Sequence, residues 1–397
     1  MKEGAPSQGR AMKFYLTHLS CACALGRTND EVWASYAAGE SGLREIEGDI
    51  PARKIFFGLV PGELPSIDEP EFDMRTNRLL RLAVENFKGE LDAFLARYAA
   101  SRIAIVLGAS NTGIDEAERN VDQWLETGSK PETMHFSQIE LGTPADYLKK
   151  LIGTKGPAYV VSTACSSSAK AFASARRLIE IGLVDAAIVG GVDGRCRFAM
   201  NGFHALGALA QGRCRPLAPD RDGINLGEGV ALFTLEKSPS PFSTSHFPFS
   251  IRLAGCGESS DAYHATAPDP EGHGAEAAMR AALAEASLSP ADISYVNLHG
   301  TGTPANDAME SAALARVFSR GDSPLAQGAW PRADGDSPLV VESTKALTGH
   351  CLGAAGAVEA ALCWLMLRAG KVKGAVLSNS FAFGGSNASV VLAREEA

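Results

Sequence analysis

The sequence predicts an α/β protein built from two similar halves. Short apolar runs such as 103–107 and 186–191 have the length and the β-branched content of buried strands. Segments with apolar residues at helical spacing, such as 73–100, lie between these runs, and strands that alternate with helices are typical of an α/β architecture. The same alternation resumes after residue 250, which indicates an internal duplication and two domains, 12–240 and 250–397.

The first half is predicted to contain a buried strand over 13–25, a helix over 28–38 capped by Thr28, an irregular stretch over 44–72, helical segments over 73–100, a strand over 103–107 and a partly exposed helical insertion over 115–150. It continues with a strand over 158–161, a helix from Ala169 to Gly182, a strand over 186–191, a loop region over 200–223 and a strand over 230–236.

The second half repeats this order. Its predicted strands are 251–255, 293–298, 339–342, 375–378 and 388–393, and its predicted helices are 275–286, 307–318 and 354–367. Residues 238–248 have the composition of a linker. Residues 319–339, which contain Gly-Asp-Ser-Pro-Leu twice, have the composition of a surface loop.

The overall composition excludes several classes of protein. A net charge of −9 argues against general nucleic-acid binding, which usually requires a basic domain. No apolar run approaches the roughly 20 residues of a transmembrane helix, and residues 1–11 look like a polar extension without a signal peptide. The eight cysteines are scattered along the chain, which predicts reduced thiols and a cytoplasmic protein; Cys21 and Cys23 are expected in a strand core.

One cysteine, Cys165, stands at a position that favours reactivity. The apolar run 158–161 stops just before it, and a helical pattern begins just after it, which predicts a strand, a tight turn and a helix. A thiol at a helix N-terminus faces unpaired N–H groups and the positive end of the helix dipole, and both favour the nucleophilic thiolate. The alternative is a buried and inert cysteine, the commoner state, so this stretch alone favours catalysis only slightly.

Three later stretches place polar, reactive residues directly after apolar strands and among glycines. They are 297–304, 342–350 and 378–387. Because ligands in open α/β sheets collect outside the carboxyl ends of strands, these loops and the cysteine turn are predicted to converge on one site. A thiol, a lysine (Lys345) and two histidines (His299 and His350) meeting there would form a catalytic set. Each histidine could instead be a structural hydrogen-bonding residue, but two in similar loops favour catalysis.

Together these stretches resemble the elongating β-ketoacyl-acyl-carrier-protein synthases of the thiolase superfamily, over about residues 13–394. Four motifs occur in the family order: Thr-Ala-Cys-Ser-Ser at 163–167, His-Gly-Thr-Gly-Thr-Pro at 299–304, Lys-Ala-Leu-Thr-Gly-His-Cys-Leu-Gly-Ala-Ala-Gly at 345–356 and Asn-Ser-Phe-Ala-Phe-Gly-Gly-Ser-Asn at 379–387. Arg221-Asp222-Gly223 and Gly227-Glu228-Gly229 match a further family stretch. The resemblance implies a thiolase-like fold with five layers in the order αβαβα and two duplicated halves.

The resemblance also implies roles for the main site residues. Cys165 would take the acyl group from an acyl carrier protein, and the backbone N–H groups of Cys165 and Phe383 would form the oxyanion hole. His299 and His350 would then stabilise the enolate that decarboxylation of malonyl-carrier protein produces. Attack of this carbanion on the acyl-enzyme would give a 3-oxoacyl product, with Lys345 ordering the site.

Other residues would support this chemistry. The resemblance implies three supporting residues: Glu359, which would pair with Lys345, and Asp307 and Glu310. Those implied to bind substrate are Thr301 and Thr303, which would hold the pantetheine arm, and Phe203, Ile224 and Ala199 at the acyl pocket. No metal and no redox cofactor is expected, since the acyl carrier protein brings its own phosphopantetheine.

A basic pair on the motif Asp73-Met-Arg-Thr-Asn-Arg matches the family's docking site for the acidic carrier protein. This pair is Arg75 and Arg78, and a docking surface should be locally basic despite the negative net charge. A solvated helix face explains the same two residues about as well.

The chain departs from the family pattern at several positions. Ala382 replaces the glycine that commonly precedes the second phenylalanine of the gate loop, which restricts the backbone there. Ile224 stands where many relatives have phenylalanine, and Ala199 replaces a larger residue. These changes predict a roomier pocket suited to long, bulky or polyunsaturated acyl chains. Between Leu367 and Val376 the chain is also shorter than in the family.

Alternatives stay open on function and assembly. The chain is either a condensing enzyme or a non-elongating, chain-length-factor-like subunit; decarboxylation or acyl transfer without extension is a weaker third option. The presence of Cys165, His299 and His350 favours the enzyme. A homodimer or a heterodimer with a related ketosynthase-like subunit is expected by analogy alone. The pathway, whether fatty acid, aryl polyene or polyketide, is left open.

Overall fold

The structure is a computed structural model, and it describes residues 12–50, 53–237, 249–318, 328–330 and 339–396. The predicted extension over 1–11, the linker over 238–248 and most of the loop over 319–339 lie outside these residues. Within the described ranges, no helix combines the length and the apolar character that crossing a membrane requires.

In chain order the first half contains β1 (Tyr15–Cys23), α1 (Asn29–Ala38), β2 (Leu43–Ile50), β3 (Arg53–Gly58), α2 (Arg75–Asn86), α3 (Lys88–Leu95), β4 (Ile103–Gly108), α4 (Ile114–Thr127), α5 (Thr143–Ile152), β5 (Ala158–Val161), α6 (Ser167–Glu180), β6 (Ala186–Asp193), α7 (Arg197–Ala205), β7 (Leu226–Gly227) and β8 (Gly229–Glu236). The second half contains β9 (Phe249–Ser260), α8 (His273–Ala286), β10 (Ile293–Asn297), α9 (Pro304–Val317), β11 (Gly328–Trp330), β12 (Leu339–Glu342), α10 (Lys345–Thr348), α11 (Ala355–Arg368), β13 (Ala375–Ala382) and β14 (Ser386–Glu396).

The strand order confirms that the two halves are duplicated. The first half orders its strands β5-β4-β6-β8-β1, and the second orders the corresponding strands β12-β10-β13-β14-β9. In each half the first three strands are parallel and the last two antiparallel to their neighbours. A single pairing of β1 with β9, between Tyr15 and Arg252, joins the halves into one eleven-stranded sheet.

The helices complete five layers in the order αβαβα. Helices α6 and α11 lie in the middle, where both contact strands of each half, and their apolar faces share one core cluster with β1, β6, β8 and β14. On the outside, α2 and α5 cover the first half, and α8 and α9 cover the second. The thiolase-like α/β fold predicted from the motifs is therefore confirmed.

The prediction of irregular structure is wrong for two segments. The stretch 44–72 contains the hairpin β2–β3, whose register shift between Ile46 and Ile50 interrupts the alternation that marks a strand. The first residues of the predicted loop 200–223 are helical instead, because α7 extends to Ala205. Met200 on α7 is buried in the same cluster as the hairpin, so tertiary packing stabilises a helix that Gly202 disfavours.

Gly108, the last residue of β4, lets this strand contact the first turn of α6. A Cβ atom at Gly108 would lie 2.1 Å from the Ser168 backbone nitrogen and 2.3 Å from its Cα. Both of these Ser168 atoms belong to the backbone, so no side-chain rotation could relieve the overlap. The α6 N-terminus is therefore fixed against β4 at a position where only glycine fits.

We predict that Gly108→Ala lowers the free energy of unfolding by about 1–3 kcal/mol, because the added methyl group overpacks the interior. Chemical denaturation followed by circular dichroism measures the change. The matched control is Gly89→Ala on α3, where an added Cβ has no atom within 4 Å. That variant should be neutral or slightly stabilising. Equal stability of both variants would contradict the proposed contact.

Candidate active site

Four loops that follow β5, β10, β12 and β13 meet at one cavity of about 220 Å³. The side chains of Cys165, His299, His350 and Phe383 line it, and Lys345 lies fully buried at the start of α10. The parallel strands that precede the first three loops place their carboxyl ends toward the site. The predicted convergence of the cysteine turn and the three loops is therefore confirmed in geometry.

The turn that carries Cys165 is tight and strongly hydrogen-bonded. Ala164 has a φ of +51°, an uncommon conformation for a residue with a Cβ. The Ser167 side chain accepts from the Thr163 N–H at 2.9 Å, and the Ser166 hydroxyl donates to the Thr163 carbonyl at 2.8 Å. Helix α6 starts at Ser167, so Cys165 lies immediately before the helix cap, as predicted.

The thiol and the two imidazoles are in mutual reach. His350 Nε2 lies 2.8 Å from Cys165 Sγ. This sulfur and one nitrogen of each imidazole all lie within 4.8 Å of one another. The rings of His299 and His350 are 5.4 Å apart and nearly perpendicular, at 84°. A substrate thioester in the cavity could therefore contact all three groups at once.

Burial sets the protonation states of this set. Burial raises the pKa of the Cys165 thiol to about 12, although the nearby Lys345 ammonium opposes the shift. Burial and the charge of Lys345 hold the pKa of His350, and also that of His299, well below the usual range. At neutral pH the site therefore holds a protonated thiol beside two uncharged imidazoles.

Two carboxylates on α9 position the loop that carries His299. The buried Glu310 carboxylate accepts from the His299 N–H at 2.9 Å and from the Gly300 N–H at 2.8 Å. Asp307, one helical turn earlier, accepts from the Gly302 N–H at 3.2 Å. Burial raises the pKa of Glu310 to about 7. The geometry fits the supporting positions expected of Asp307 and Glu310.

A second segment positions His350. Its N–H donates to the Asn225 carbonyl at 2.8 Å, and its carbonyl accepts from the Gly227 N–H at 2.9 Å. Gly349, with a φ of +72°, makes the close approach possible, because a Cβ there would lie 2.5 Å from the Leu226 oxygen. His350 is therefore held to β7 through its backbone, which leaves its ring free to face the thiol.

Lys345 and Glu359 form an ion pair inside the protein, as predicted. Their side chains are 0% and 2% exposed, and Lys345 Nζ donates to Glu359 Oε1. Burial raises the pKa of Glu359 to about 7, while the lysine lowers it. Because α11 carries Glu359, this pair fixes the lysine to the central helical layer and close enough to shift the pKa of both histidines.

Hydroxyl and aromatic groups line the cavity beside the catalytic set. The Thr301 and Thr303 hydroxyls are 2.8 Å apart and both line the cavity. The Phe203 and Phe383 rings are stacked, with centroids 5.5 Å apart. Ile224 also lines the cavity.

Ala199 lies behind the residues that line the cavity. It packs against the apolar cluster that contains Ile224, and it lies one helical turn before Phe203 on α7, which faces the cavity. Its role in the acyl pocket stays a prediction.

The two arginines predicted to meet a carrier protein both have internal partners. Arg75 donates through Nε and Nη2 to the two oxygens of the fully buried Glu228 carboxylate, each at 2.5 Å. Arg78 donates to Asp73 at 2.6 Å. Their side chains remain 32% and 39% exposed, so a docking role stays a prediction, beside a structural role that is evident for Arg75.

Sequence reasoning missed two positioning contacts. Asn225 holds His350 through its backbone, and its side chain accepts from the Cys214 N–H at 2.6 Å. The signal was a polar residue inside the apolar stretch 224–226, where burial requires hydrogen-bond partners. The Ser166 and Ser386 hydroxyl oxygens also lie within hydrogen-bond distance, at 3.0 Å, a long-range contact with no local signal.

The same donor types could bind a zinc ion. Metal-bound histidines almost always donate their second ring N–H to a neighbouring acceptor. The Nδ1 atoms of His299 and His350 have no hydrogen-bond partner among the described residues. The set therefore fits proton transfer and hydrogen bonding better than it fits a metal ion.

A thiolase-like fold with a buried Cys–His–His set at its strand ends defines a class of acyl-transferring enzymes. Residues 16–240 match the family model for the β-ketoacyl synthase N-terminal domain, and residues 251–376 match the model for its C-terminal domain. The chain belongs to the β-ketoacyl synthase family. Members of this family are 3-oxoacyl-carrier-protein synthases, which need no cofactor of their own because the carrier protein brings the phosphopantetheine.

Individual relatives agree with this assignment. The chain is 30% identical to nodulation protein E of Rhizobium meliloti, over 90% of this chain and 86% of that protein. It is also 30% identical to 3-oxoacyl-[acyl-carrier-protein] synthase 2 of Staphylococcus aureus, over 75% and 76% of the two chains. The structure is also similar to a ketosynthase from Xenorhabdus doucetiae that was solved in complex with its chain length factor. The TM-score is 0.86 and the sequence identity is 38%, over 98% of this chain and 100% of that one.

We predict that alkylation of Cys165 by iodoacetamide accelerates about tenfold per pH unit between pH 6 and 9, because the thiolate fraction grows in that proportion while the pH is below the thiol pKa. The rate should show no inflection near pH 6.5, since both histidines stay neutral over the whole range. Peptide mass spectrometry measures the rate, and Cys165→Ser gives the background. A rate independent of pH would show that a thiolate–imidazolium pair already exists.

Proposed function

We propose that the protein is a β-ketoacyl-acyl-carrier-protein synthase, which condenses an acyl-enzyme thioester with malonyl-carrier protein during fatty acid, polyene or polyketide elongation. The observation that carries the proposal is the buried set of one thiol and two neutral imidazoles in a single cavity. No cofactor of its own is required, because the decarboxylation drives the condensation.

In the first half-reaction Cys165 takes the acyl group. The sulfur forms a bond with the thioester carbonyl carbon while its proton passes to His350 Nε2, the nitrogen 2.8 Å away. The N–H groups of Cys165 and Phe383 would stabilise the oxyanion of the tetrahedral intermediate. The pantetheine C–S bond then breaks, and the departing thiolate takes back the proton.

In the second half-reaction malonyl-carrier protein enters the same cavity. His299 and His350 would each donate a hydrogen bond to its thioester oxygen from a ring nitrogen that carries hydrogen. For His350 this requires the neutral tautomer with the hydrogen on Nε2, whereas the first half-reaction uses the tautomer with Nε2 free. Carbon dioxide leaves, and the electron pair of the broken C–C bond forms an enolate. The enolate carbon attacks the acyl carbonyl on Cys165 and a new C–C bond forms. The C–S bond to Cys165 breaks, and the released thiolate takes a proton that comes from solvent water.

The remaining site residues would have positioning roles. Lys345, with Glu359, would order the histidines and keep them neutral through its charge. Thr301 and Thr303 line the cavity, and their hydroxyls would hold the pantetheine arm. Arg75 and Arg78 would meet the acidic carrier protein with the exposed part of each guanidinium group.

A non-elongating, chain-length-factor-like subunit is the second candidate function. The solved complex of a ketosynthase with its chain length factor supports an assembly of two related subunits. Within such a pair, the intact Cys165, His299 and His350 favour the catalytic role for this chain. The proposal includes a homodimer or a heterodimer. It also includes two halves, 12–240 and 250–397, that act as one catalytic unit. A cytoplasmic location is supported by the free cysteines.

We predict that Cys165→Ala abolishes acylation by acyl-carrier protein. His299→Ala should keep acylation but slow 3-oxoacyl formation about 10²–10³-fold, because an oxyanion donor is lost. Intact-protein mass spectrometry detects the acyl-enzyme, and chromatography detects the product. Cys256→Ala, which removes a thiol outside the cavity, is the matched control and should behave like the native protein. Full condensation by Cys165→Ala would refute the assignment of the nucleophile.

We also propose that the acyl pocket accepts long, bulky or polyunsaturated chains, since Ile224 rather than a larger ring lines the cavity. We predict that Ile224→Phe lowers the ratio of long-chain to short-chain acylation by about tenfold, a size effect typical of apolar pockets. If the native protein accepted short saturated chains far better than long ones, the proposal would fail.

A further inference from the structure

Helix α11 begins without a capping side chain of its own. Its N-cap residue is Ala354, whose methyl group cannot accept a hydrogen bond, and no acidic residue stands in its first turn. The helix end is buried, from Ala354 through Ala357. The first N–H groups of a helix have no partner within the helix, and buried N–H groups require acceptors. Those acceptors must come from another part of the chain.

Ser168, in the first turn of α6, supplies one acceptor from the first half. Its hydroxyl oxygen accepts from the Ala357 N–H at 2.9 Å, a contact that an N-cap side chain usually makes. Gly356 lets the two helices approach this closely, because a Cβ atom there would lie 2.8 Å from the Ala169 nitrogen. One capping contact of α11 therefore runs between the two halves of the protein.

Asp193, the last residue of β6, supplies a second acceptor from the first half. Its fully buried carboxylate accepts from the N–H of Gly353, which lies in the short turn between His350 and α11. The packing is tight, since a Cβ atom at Gly353 would lie 2.7 Å from Asp193 Oδ2. A negative charge near a helix N-terminus also interacts favourably with the helix dipole. Asp193 therefore serves α11 as an acidic residue of its own first turn would.

The Asp193 carboxylate is also held firmly within the first half. Its Oδ1 accepts from the N–H groups of Ser110 and Asn111 at 2.9 and 2.8 Å, and its Oδ2 accepts from the Ser110 hydroxyl at 2.9 Å. These two residues follow β4, which pairs with the strand that leads to Cys165. Burial raises the pKa of Asp193 to about 6, although these hydrogen bonds lower it. The carboxylate is therefore ionised at neutral pH.

We propose that Ser168 and Asp193 are positioning residues of the catalytic site. By capping α11 from the opposite half, they hold His350 and Glu359 in place relative to Cys165. His350 lies three residues before the Gly353 N–H that Asp193 binds, and Glu359 lies on the second turn of α11. A shift of this helix end would therefore move both groups. This inference rests on the proposed function, since the reaction determines why their positions matter.

Removing each acceptor tests the capping contacts directly. Ser168→Ala removes only the hydroxyl oxygen, and Asp193→Asn replaces one carboxylate oxygen by an amide that cannot accept from the Gly353 N–H. Hydrogen exchange over residues 349–362, followed by mass spectrometry, should become about fivefold faster in both variants, the factor that a typical cap contributes. Peptides from α8 and α9 should exchange as in the native chain. Unchanged exchange over 349–362 would overturn the proposal.

Steady-state kinetics separates a positioning role from a merely structural one. Both variants should lower kcat for 3-oxoacyl formation by about tenfold or more, because small displacements of reacting groups are costly in the transition state. The KM for malonyl-carrier protein should stay the same, since Thr301 and Thr303 are untouched. Ser289→Ala, which removes the capping hydroxyl of a short helix outside the cavity, is the matched control. A native kcat in both variants despite faster exchange would overturn the proposal.

A measurement without turnover keeps this inference apart from the proposed function. Burial is the main cause of the raised pKa of the Cys165 thiol, and the negative charge of Asp193 adds to it. Iodoacetamide should therefore alkylate Cys165 faster in Asp193→Asn than in the native chain at pH 8, and at the native rate in Ser289→Ala. Equal rates in all three would overturn the role of Asp193. A native chain that forms no 3-oxoacyl product would reject the catalytic proposal alone.

Discussion

The ion pair between Lys345 and Glu359 is the interaction on which the candidate site depends. An ammonium in a buried, low-dielectric site acts over several ångströms, because little water screens it. It favours the uncharged state of both histidines, and it opposes part of the burial effect on the Cys165 thiol. Glu359 is the partner of the lysine inside the protein, and an unpaired buried charge would be strongly destabilising. A neutral imidazole can accept a proton from the thiol in one half-reaction and donate a hydrogen bond in the other, so one electrostatic arrangement serves both steps.

The duplicated fold explains why these groups can meet. Cys165 belongs to the first half, whereas His299, Lys345 and His350 belong to the second, and the central helices α6 and α11 contact each other and both halves. Each helix starts at the carboxyl side of a strand: α6 follows β5, and α11 follows β12 through the short helix α10. Packing two equivalent helices face to face therefore brings the cysteine turn of one half beside the lysine and histidine loop of the other. Neither half contains the complete site, which makes the contact between the halves a functional constraint as well as a structural one.

The parts that could be predicted from the sequence are those with local chemical signals. The cysteine between a strand and a helix, and the histidines in glycine-rich loops, identified the site because strand ends converge in this architecture. The pairing of Lys345 with Glu359 was implied by the family resemblance, and the cost of burying an unpaired charge gives its physical reason. That Ala199 lies behind Phe203 and Ile224 could not be read from the sequence, because sequence spacing cannot tell which side of α7 faces the cavity. The β2–β3 hairpin was missed because a bulge breaks its alternation of apolar and polar residues. Helix α7 was missed because Gly202 lowers its helix propensity. Both elements are stabilised by tertiary packing, which the sequence does not show. Asn225 was a detectable polar residue in an apolar stretch, but its bond to His350 runs through the backbone, so its side chain could not identify His350 as the partner.

Part of the wall of the acyl cavity comes from α7 and the residues that follow it. Phe203, near the end of this helix, lines the cavity and stacks on Phe383. Leu206, directly after the helix, lines the cavity and is still 53% exposed, so part of the cavity wall is also part of the protein surface. On its other side α7 packs through Met200 against the β2–β3 hairpin. The position of Phe203 in the cavity wall therefore depends on the packing of one short helix against a hairpin, and both of these elements have weak sequence signals.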